Sequence, residues 1–404
     1  MTTDDSLAPA ACYSPFVSER LVLIGTSFRR IGFERLGRYV LPLDREADLA
    51  ALRSACGARE LVYVATCNRV EAYLSFASGD EARAAAIGLA ERVAVFFAAR
   101  GAGATEPRDL FVLAGAAALE HLFGVVASLD SLVLGECEIA GQVRRAAEAA
   151  SAHGLCGRTL KRVFEQAARV ARRVRSETAI GRTPVSVASL ILKRMREHFA
   201  PHAPRTAVLI GVGDVTKKVA ASLAGGQTEL LFVNRTESRA AELAARHGGR
   251  AMSLEQFRAT PPASIDLLVT ATRAPGAIVD ASTLAPALAA QDPGVKPILV
   301  CDLGVPADVD AAVDALPGVR TLRLPDLEAT ARENRDRLAS EVERVKAIVS
   351  DEARRSGSEA RLRDVAAESA DALLATRLSH LAPDDREAVR RFATGLAERL
   401  ARQP

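Results

Sequence analysis

The chain has no tryptophan, only three methionines, and six cysteines with no C-x-x-C pair among them. Cys12, Cys56, Cys67, Cys137, Cys156 and Cys301 are scattered over 404 residues, which argues against a disulfide framework and for reduced thiols. The six histidines lack zinc spacing against the cysteines, so no metal is expected. No apolar run is long enough to span a bilayer, and the first fifteen residues lack a basic start followed by an apolar stretch. A cytoplasmic protein with no membrane contact is the expectation. The net charge of +3 neither demands nor forbids a nucleic-acid partner, so any basic surface must be local. The missing tryptophan, with the abundant alanine and arginine, reads as genomic bias.

What is present is organised in stretches, and the length suggests two or three domains. Residues 1–18 are polar and aperiodic, a loose tail. Strands are expected over 21–25, 61–66, 72–76 and 110–113, with helices over 44–56 and 81–100. This βαββαβ order is that of a ferredoxin-like split βαβ sandwich, an α+β fold. A mostly helical stretch follows from 116 to about 177, broken near 134–136 and 153–157. In it Leu160, Val163, Phe164, Ala167, Val170, Ala171 and Val174 recur at helical spacing. A helix over 184–199 leads to Pro201 and Pro204, a connector. Strands over 207–211, 229–234, 265–270 and 298–302 then alternate with helices, the pattern of a doubly wound, Rossmann-type parallel sheet. Residues 327–353 have no glycine or proline and read as a long charged helix. More amphipathic helix follows to 401, an arm expected to find its apolar partner on a second chain.

Three motifs carry chemistry. Thr66-Cys67-Asn68-Arg69 joins two strands, where a cysteine can project into a cleft and a neighbouring arginine favours the thiolate. A lone strand-end cysteine is usually a small packing residue, but a packing role needs no Asn-Arg pair beside it. Leu129-Asp130-Ser131-Leu132-Val133-Leu134-Gly135-Glu136, followed by Gly141-Gln142, reads as a cavity-lining loop or as a plain inter-helix turn. His121, on the preceding helix beside Leu119, Leu122 and Phe123, has by type alone the look of a core-edge residue. The third motif, Gly211-Val212-Gly213-Asp214-Val215-Thr216, follows a strand and opens a helix, the context of a dinucleotide fingerprint with Thr216 in place of the third glycine. Asn234-Arg235-Thr236 ends the next strand. Arginine and threonine there suit a ribose 2′-phosphate, which points to NADP.

In this order the segments resemble the glutamyl-tRNA reductases, from about Arg20 to the C-terminal arm. The most specific stretches are Thr66-Cys67-Asn68-Arg69, residues 129–136, Gly141-Gln142-Val143, Val174-Arg175-Ser176-Glu177-Thr178-Ala179-Ile180-Gly181-Arg182, Asn234-Arg235-Thr236 and Asp302-Leu303-Gly304-Val305-Pro306. The resemblance implies a catalytic domain (19–180), an NADPH domain (181–325) and a helical dimerisation domain on a long spinal helix (326–404), in a V-shaped homodimer. It makes Cys67 the nucleophile and lifts His121 to an activity-linked residue. It maps substrate contacts to Thr66, Asn68, Arg69, Ser131, Glu136 and Gln142, with Cys137 and Glu138 beside that pocket, and nucleotide contacts to Gly211 through Thr216. The chain departs from the family's Asn-His-Lys-Thr run at Ser27-Phe28-Arg29-Arg30, and from its Pro-Gln at Cys137-Glu138.

The implied reaction is NADPH-dependent reduction of glutamyl-tRNA to glutamate-1-semialdehyde through a Cys67 thioester, the first committed step of five-carbon tetrapyrrole synthesis. Arg69 is a plausible bidentate clamp for the substrate carboxylate. His121 either protonates the departing ribose oxygen or shapes the site. Lys161, Arg162, Arg169, Arg172, Arg173 and Arg175 read equally as a tRNA face or a solvated helix face. A complex with glutamate-1-semialdehyde aminomutase is left open. The rivals are a Cys-dependent aldehyde or acyl dehydrogenase acting on a small acyl thioester and a non-enzymatic paralogue that binds tRNA, haem or a partner enzyme.

Overall fold

The computed structural model describes residues 19–41, 45–101, 103, 105–131, 134–136, 138–181, 186–272, 274, 276–291, 295–328, 331 and 338–400. Cys12, Leu132, Val133, Cys137 and Arg182 therefore lie outside the described residues.

The N-terminal sheet is antiparallel, built from β1 (Leu21–Ser27), β2 (Glu60–Ala65), β3 (Arg69–Ser75) and β4 (Phe111–Ala114) in the order β2-β3-β1-β4. Between β1 and β2 run α1 (Phe28–Leu36), kinked at Gly32, and α2 (Glu46–Cys56), which ends on Gly57 in the left-handed region. Between β3 and β4 one helix was expected over 81–100. Two form instead, α3 (Gly79–Ala86) and α4 (Leu89–Ala98), because Gly88 at φ 65 turns the chain between them. Both faces of the sheet are covered, which is why β3 is buried at every position. Helices α2 and α4 lie on one side. On the other are α5 (Ala116–Val126), α6 (Glu138–Ala152) and α7 (Arg158–Glu177). The seven apolar residues expected along α7 are all buried, with Tyr73 of β3 edge-on to Phe164 at 5.4 Å.

The second sheet is wholly parallel. It follows α8 (Val187–Phe199) and comprises β5 (Thr206–Ile210), β6 (Glu229–Asn234), β7 (Arg250–Ser253), β8 (Leu267–Thr270), β9 (Ile298–Asp302) and β10 (Val319–Arg323). The order β7-β6-β5-β8-β9-β10 is that of a Rossmann-like sheet, with its switch point between β5 and β8. Helices α9 (Asp214–Leu223), α10 (Glu237–His247), α11 (Leu254–Ala259) and α12 (Ala281–Ala289) connect the strands. Alternate residues feed two cores: Ala207 and Leu209 pack on one face, Val208 and Ile210 on the other.

A helical C-terminal region completes the chain: α13 (Ala339–Thr376), 38 residues and so about 57 Å long, and α14 (Pro383–Leu400). The expectation that this arm has no apolar partner within its own chain needs correction. Val342, Val345, Ile348, Val349 and Ala353 are buried, and α13 packs on α5 and α7. Polar contacts fix the docking: Arg173 donates to Asp351 at 3.0 Å and Glu352 at 2.7 Å, and Ser350 to Glu120 at 2.5 Å. Further along, α13 packs on α14, burying Ala370, Leu374 and Ala397 while Leu373 of α13 and Phe392, Leu396 and Leu400 of α14 are exposed. Among the described residues no helix is long and apolar enough to cross a membrane.

Candidate active site at a hairpin tip

Cys67 sits at the tip of the β2–β3 hairpin, where Ala65 pairs with Val70. The Thr66 hydroxyl shapes the turn, accepting from the backbone N–H groups of Asn68 and Arg69, both at 3.2 Å. Phe28 N–H donates to Asn68 O at 3.0 Å, which ties the tip to the start of α1. Ser27 pairs with Arg69 across β1 and β3, so the Ser27–Arg30 departure lies beside this turn.

Period-two alternation puts Arg69, Glu71 and Tyr73 on one face of β3. They form a buried network. The Glu71 carboxylate accepts from Arg69 at 3.1 Å, His121 Nε2 at 2.7 Å and the Tyr73 hydroxyl at 2.6 Å. Burial alone would raise the Glu71 carboxyl, but Arg69 and His121 outweigh it and hold the group at about 2. An ionised carboxylate only accepts, so the proton on this bond belongs to His121 Nε2. Nδ1 is then the ring nitrogen left for other work. The motif by itself gives Glu71 no role, although the Arg-x-Glu-x-Tyr alternation puts it on one face with Arg69.

Two expectations about the motif change. Arg69 does not leave Cys67 as a ready thiolate: burial first, and then the carboxylates of Glu136 and Glu138, push the thiol up to about 12 despite Arg69. The arginine is also not a free clamp. Its guanidinium is buried between Glu71 and Asp130, whose backbone O accepts at 2.5 Å and whose carboxylate accepts at 3.2 Å. Nε alone is without a hydrogen-bond partner. Asp130 also takes Arg29 at 3.4 Å, a partly exposed cation within the Ser27–Arg30 departure.

The 129–136 loop reaches this site through Asp130. Gly135 adopts φ +83, and a Cβ there would stand 2.8 Å from Ile180 O, so glycine is required for the chain to pass. Ser131 and Glu136 are buried. Burial, helped by Glu138, raises the Glu136 carboxyl to about 7. Gln142 lies half-buried on α6, one turn past Glu138.

The glycine loop lies at the carboxyl edge of β5. Gly211 takes φ +100, with Ala271 O 2.9 Å from where a Cβ would be, so the loop passes close against the end of β8 at the switch point. Gly213 caps α9 without a side-chain hydrogen bond, which leaves the first-turn N–H groups free of a side-chain cap and suited to a pyrophosphate. Thr216 is fully buried, packing the helix on the sheet where the fingerprint has glycine. Asn234, Arg235 and Thr236 follow at the end of β6, with Asn234 Nδ2 donating to Thr236 O at 2.9 Å. The residues present therefore fit a dinucleotide.

The Asp302–Pro306 run braces the same edge. Asp302 accepts from the N–H groups of Gly304, Asp308 and Val309 and from Arg323 at 2.7 Å. Asp308 accepts from Thr270 at 2.6 Å and from Thr272 N–H at 2.8 Å. Pro306 meets the cysteine-bearing domain at Gly37, where a Cβ would come within 2.6 Å of the ring.

A cysteine at the tip of a strand hairpin, in the domain where Glu71 holds His121, joined to a Rossmann-like sheet with a glycine loop at its switch point, is the make-up of a nucleotide-linked oxidoreductase. Residues 24–178 match the family described as glutamyl-tRNAGlu reductase, N-terminal domain, and residues 193–330 match shikimate/quinate 5-dehydrogenase. Glutamyl-tRNA reductase of Syntrophus aciditrophicus is 33% identical over 336 residues, 82% of this chain and 78% of the relative. That of Deinococcus radiodurans is 34% identical over 329 residues, 81% and 89% respectively. The solved glutamyl-tRNA reductase from Methanopyrus kandleri is 28% identical, covering 96% of this chain and 95% of its own, with a TM-score of 0.46. The chain belongs to the glutamyl-tRNA reductase family.

Proposed function

We propose that the protein reduces glutamyl-tRNA to glutamate-1-semialdehyde with NADPH, the first committed step of tetrapyrrole synthesis. The observation that carries this reading is Cys67 at the hairpin tip, in the domain where Glu71 fixes His121. In the first half-reaction the Cys67 sulfur attacks the ester carbonyl carbon, a C–S bond forms, and the C–O bond to the tRNA ribose breaks. The departing oxygen takes a proton, and His121 is the candidate donor in the form that carries a proton on Nδ1 as well as on Nε2. Because the thiol is held up at rest, its proton must leave as substrate binds, and Glu136, raised to about 7, is suited to receive it. NADPH supplies, when bound, a hydride for the thioester carbonyl. Breaking the C–S bond then returns the sulfur to Cys67.

Thr66, Asn68, Arg69, Ser131, Glu136, Glu138 and Gln142 are the proposed substrate contacts. Arg69 acts through Nε, or by yielding Asp130 to the incoming carboxylate, with Arg29 next to it. Gly211 through Thr216 take the pyrophosphate, and Asn234, Arg235 and Thr236 the 2′-phosphate. The tRNA face is Lys161, Arg162, Arg169, Arg172 and Arg175, all exposed; Arg173 is withdrawn from it by α13. The N-terminal sheet is read as a ferredoxin-like catalytic domain. The exposed apolar residues of α13 and α14 support a homodimer through the C-terminal helices, and a cytoplasmic enzyme that hands its aldehyde to an aminomutase completes the proposal. The test is NADPH oxidation with glutamyl-tRNA. Wild type should turn over and Cys67→Ser should not; normal reduction by Cys67→Ser would sink the mechanism.

A further inference from the structure

Two ion pairs join the cysteine-bearing domain to the helix that opens at the nucleotide loop. Glu138, the first residue of α6, binds Lys218 on α9, and Lys218 also lies 3.5 Å from the Ser186 hydroxyl. Two turns further along α6, Arg145 reaches Asp214, the first residue of α9, at 3.3 Å. The second pair is nearly half exposed on both sides and contributes little. The first is different, because the Glu138 side chain is only 13% exposed.

Glu138 also acts on the reacting group through its charge. Its carboxylate is among the charges that hold up both the Cys67 thiol and the Glu136 carboxyl, whereas Lys218 pulls Glu136 the other way. Arg69, the cation acting on Cys67, is committed to Glu71 and Asp130. The cation paired with Glu138 comes from the other domain.

We propose that Lys218 is a positioning residue which, by pairing with Glu138, docks the nucleotide-binding helix on the cysteine domain and neutralises the charge beside Cys67 only when that domain is in place. Thioester formation is thereby tied to the arrival of the hydride-bearing domain, which limits loss of the acyl group to water. The proposal rests on Cys67 as the nucleophile. Nothing in the Cys67 motif or the nucleotide fingerprint encodes the pair; it depends on Glu138 and Lys218, eighty residues apart in the chain.

The test uses the full chain and two reagents that alkylate Cys67, anionic iodoacetate and neutral iodoacetamide, quantified at the Cys67 peptide. Their rate ratio reports local charge, since thiol access and thiolate fraction cancel. Lys218→Met should lower the ratio about threefold, the scale of one half-exposed charge, and Glu138→Gln should raise it. The double variant should return to wild type. A lost structural contact would move both single variants the same way, so that outcome overturns the proposal, as does an unmoved ratio in Lys218→Met. Small-angle scattering of the same proteins tests docking: Lys218→Met should be more extended, and a profile identical to wild type refutes the docking role. Neither readout needs turnover. If Cys67→Ser still reduces substrate, the nucleophile reading fails by itself and is not confused with failure of the ion pair.

Discussion

Replacing Glu71 with glutamine keeps the shape of the side chain and removes the charge that holds Arg69 and His121. The magnitude can be worked in two ways. Removing one partner of a buried ion pair costs about 3–5 kcal/mol, and because Asp130 still faces Arg69 the lower end applies. Independently, a carboxyl lowered from an ordinary 4.5 to about 2 stabilises the fold by roughly 3 kcal/mol when ionised. The sign follows from the lowered value. The contribution is complete above about 4.5, where the unfolded chain is also ionised, and is lost as pH falls through about 2. Urea unfolding of the N-terminal domain, followed by tyrosine fluorescence, should therefore show Glu71→Gln destabilised by about 3 kcal/mol at pH 7. The gap should narrow steadily below pH 4.5. Turnover should fall with it, because an amide that can both donate and accept replaces the acceptor-only carboxylate facing His121 Nε2. Equal stability of the two proteins at pH 7, or a gap that persists undiminished at pH 3, would refute the reasoning.

Three further outcomes follow from other sites. Glu136 is raised to about 7, so its contribution is full below about 4.5 and is lost as pH rises through 7; Glu136→Gln should therefore unfold later than wild type at pH 8 and alike at pH 4, measured by thermal melts. Gly37→Val introduces a branched side chain where a Cβ already meets the Pro306 ring at 2.6 Å, so it should separate the two domains in scattering while leaving the secondary structure seen by circular dichroism unchanged. Phe392→Asp places a charge on the exposed apolar face of α14 and should shift the sedimenting species from dimer towards monomer; an unchanged dimer would move the interface elsewhere.

Much of the fold is legible in the residues because its signals are local. The α7 stripe from Leu160 to Val174 is periodic and reports one buried face, whereas the continuous apolar runs of β5, β6, β8 and β9 report burial on both faces. The split of 81–100 into two helices was less legible, since Gly88 at a positive φ reads the same in sequence as a glycine tolerated within a helix. The arm shows the limit of composition. Val342, Val345 and Ile348 mark an apolar face, but nothing local says whether α5 and α7 or a second chain will cover it.

The site divides along the same line. Sequence by itself determined the identities that chemistry requires: Cys67 in its Thr-Cys-Asn-Arg setting, the strand–glycine–helix context of Gly211 to Thr216, and the Asn-Arg-Thr end of β6. These are contiguous, and their meaning lies in residue type and order. Only the tertiary structure decided what those groups experience. It turned Arg69 inward to Glu71 and Asp130, left Cys67 a half-buried thiol instead of a ready thiolate, set His121 Nε2 against the Glu71 carboxylate, and brought Lys218 from another domain to Glu138. Such effects depend on distance and burial between residues far apart in the chain, and electrostatic energy varies with both in a way that no linear pattern records.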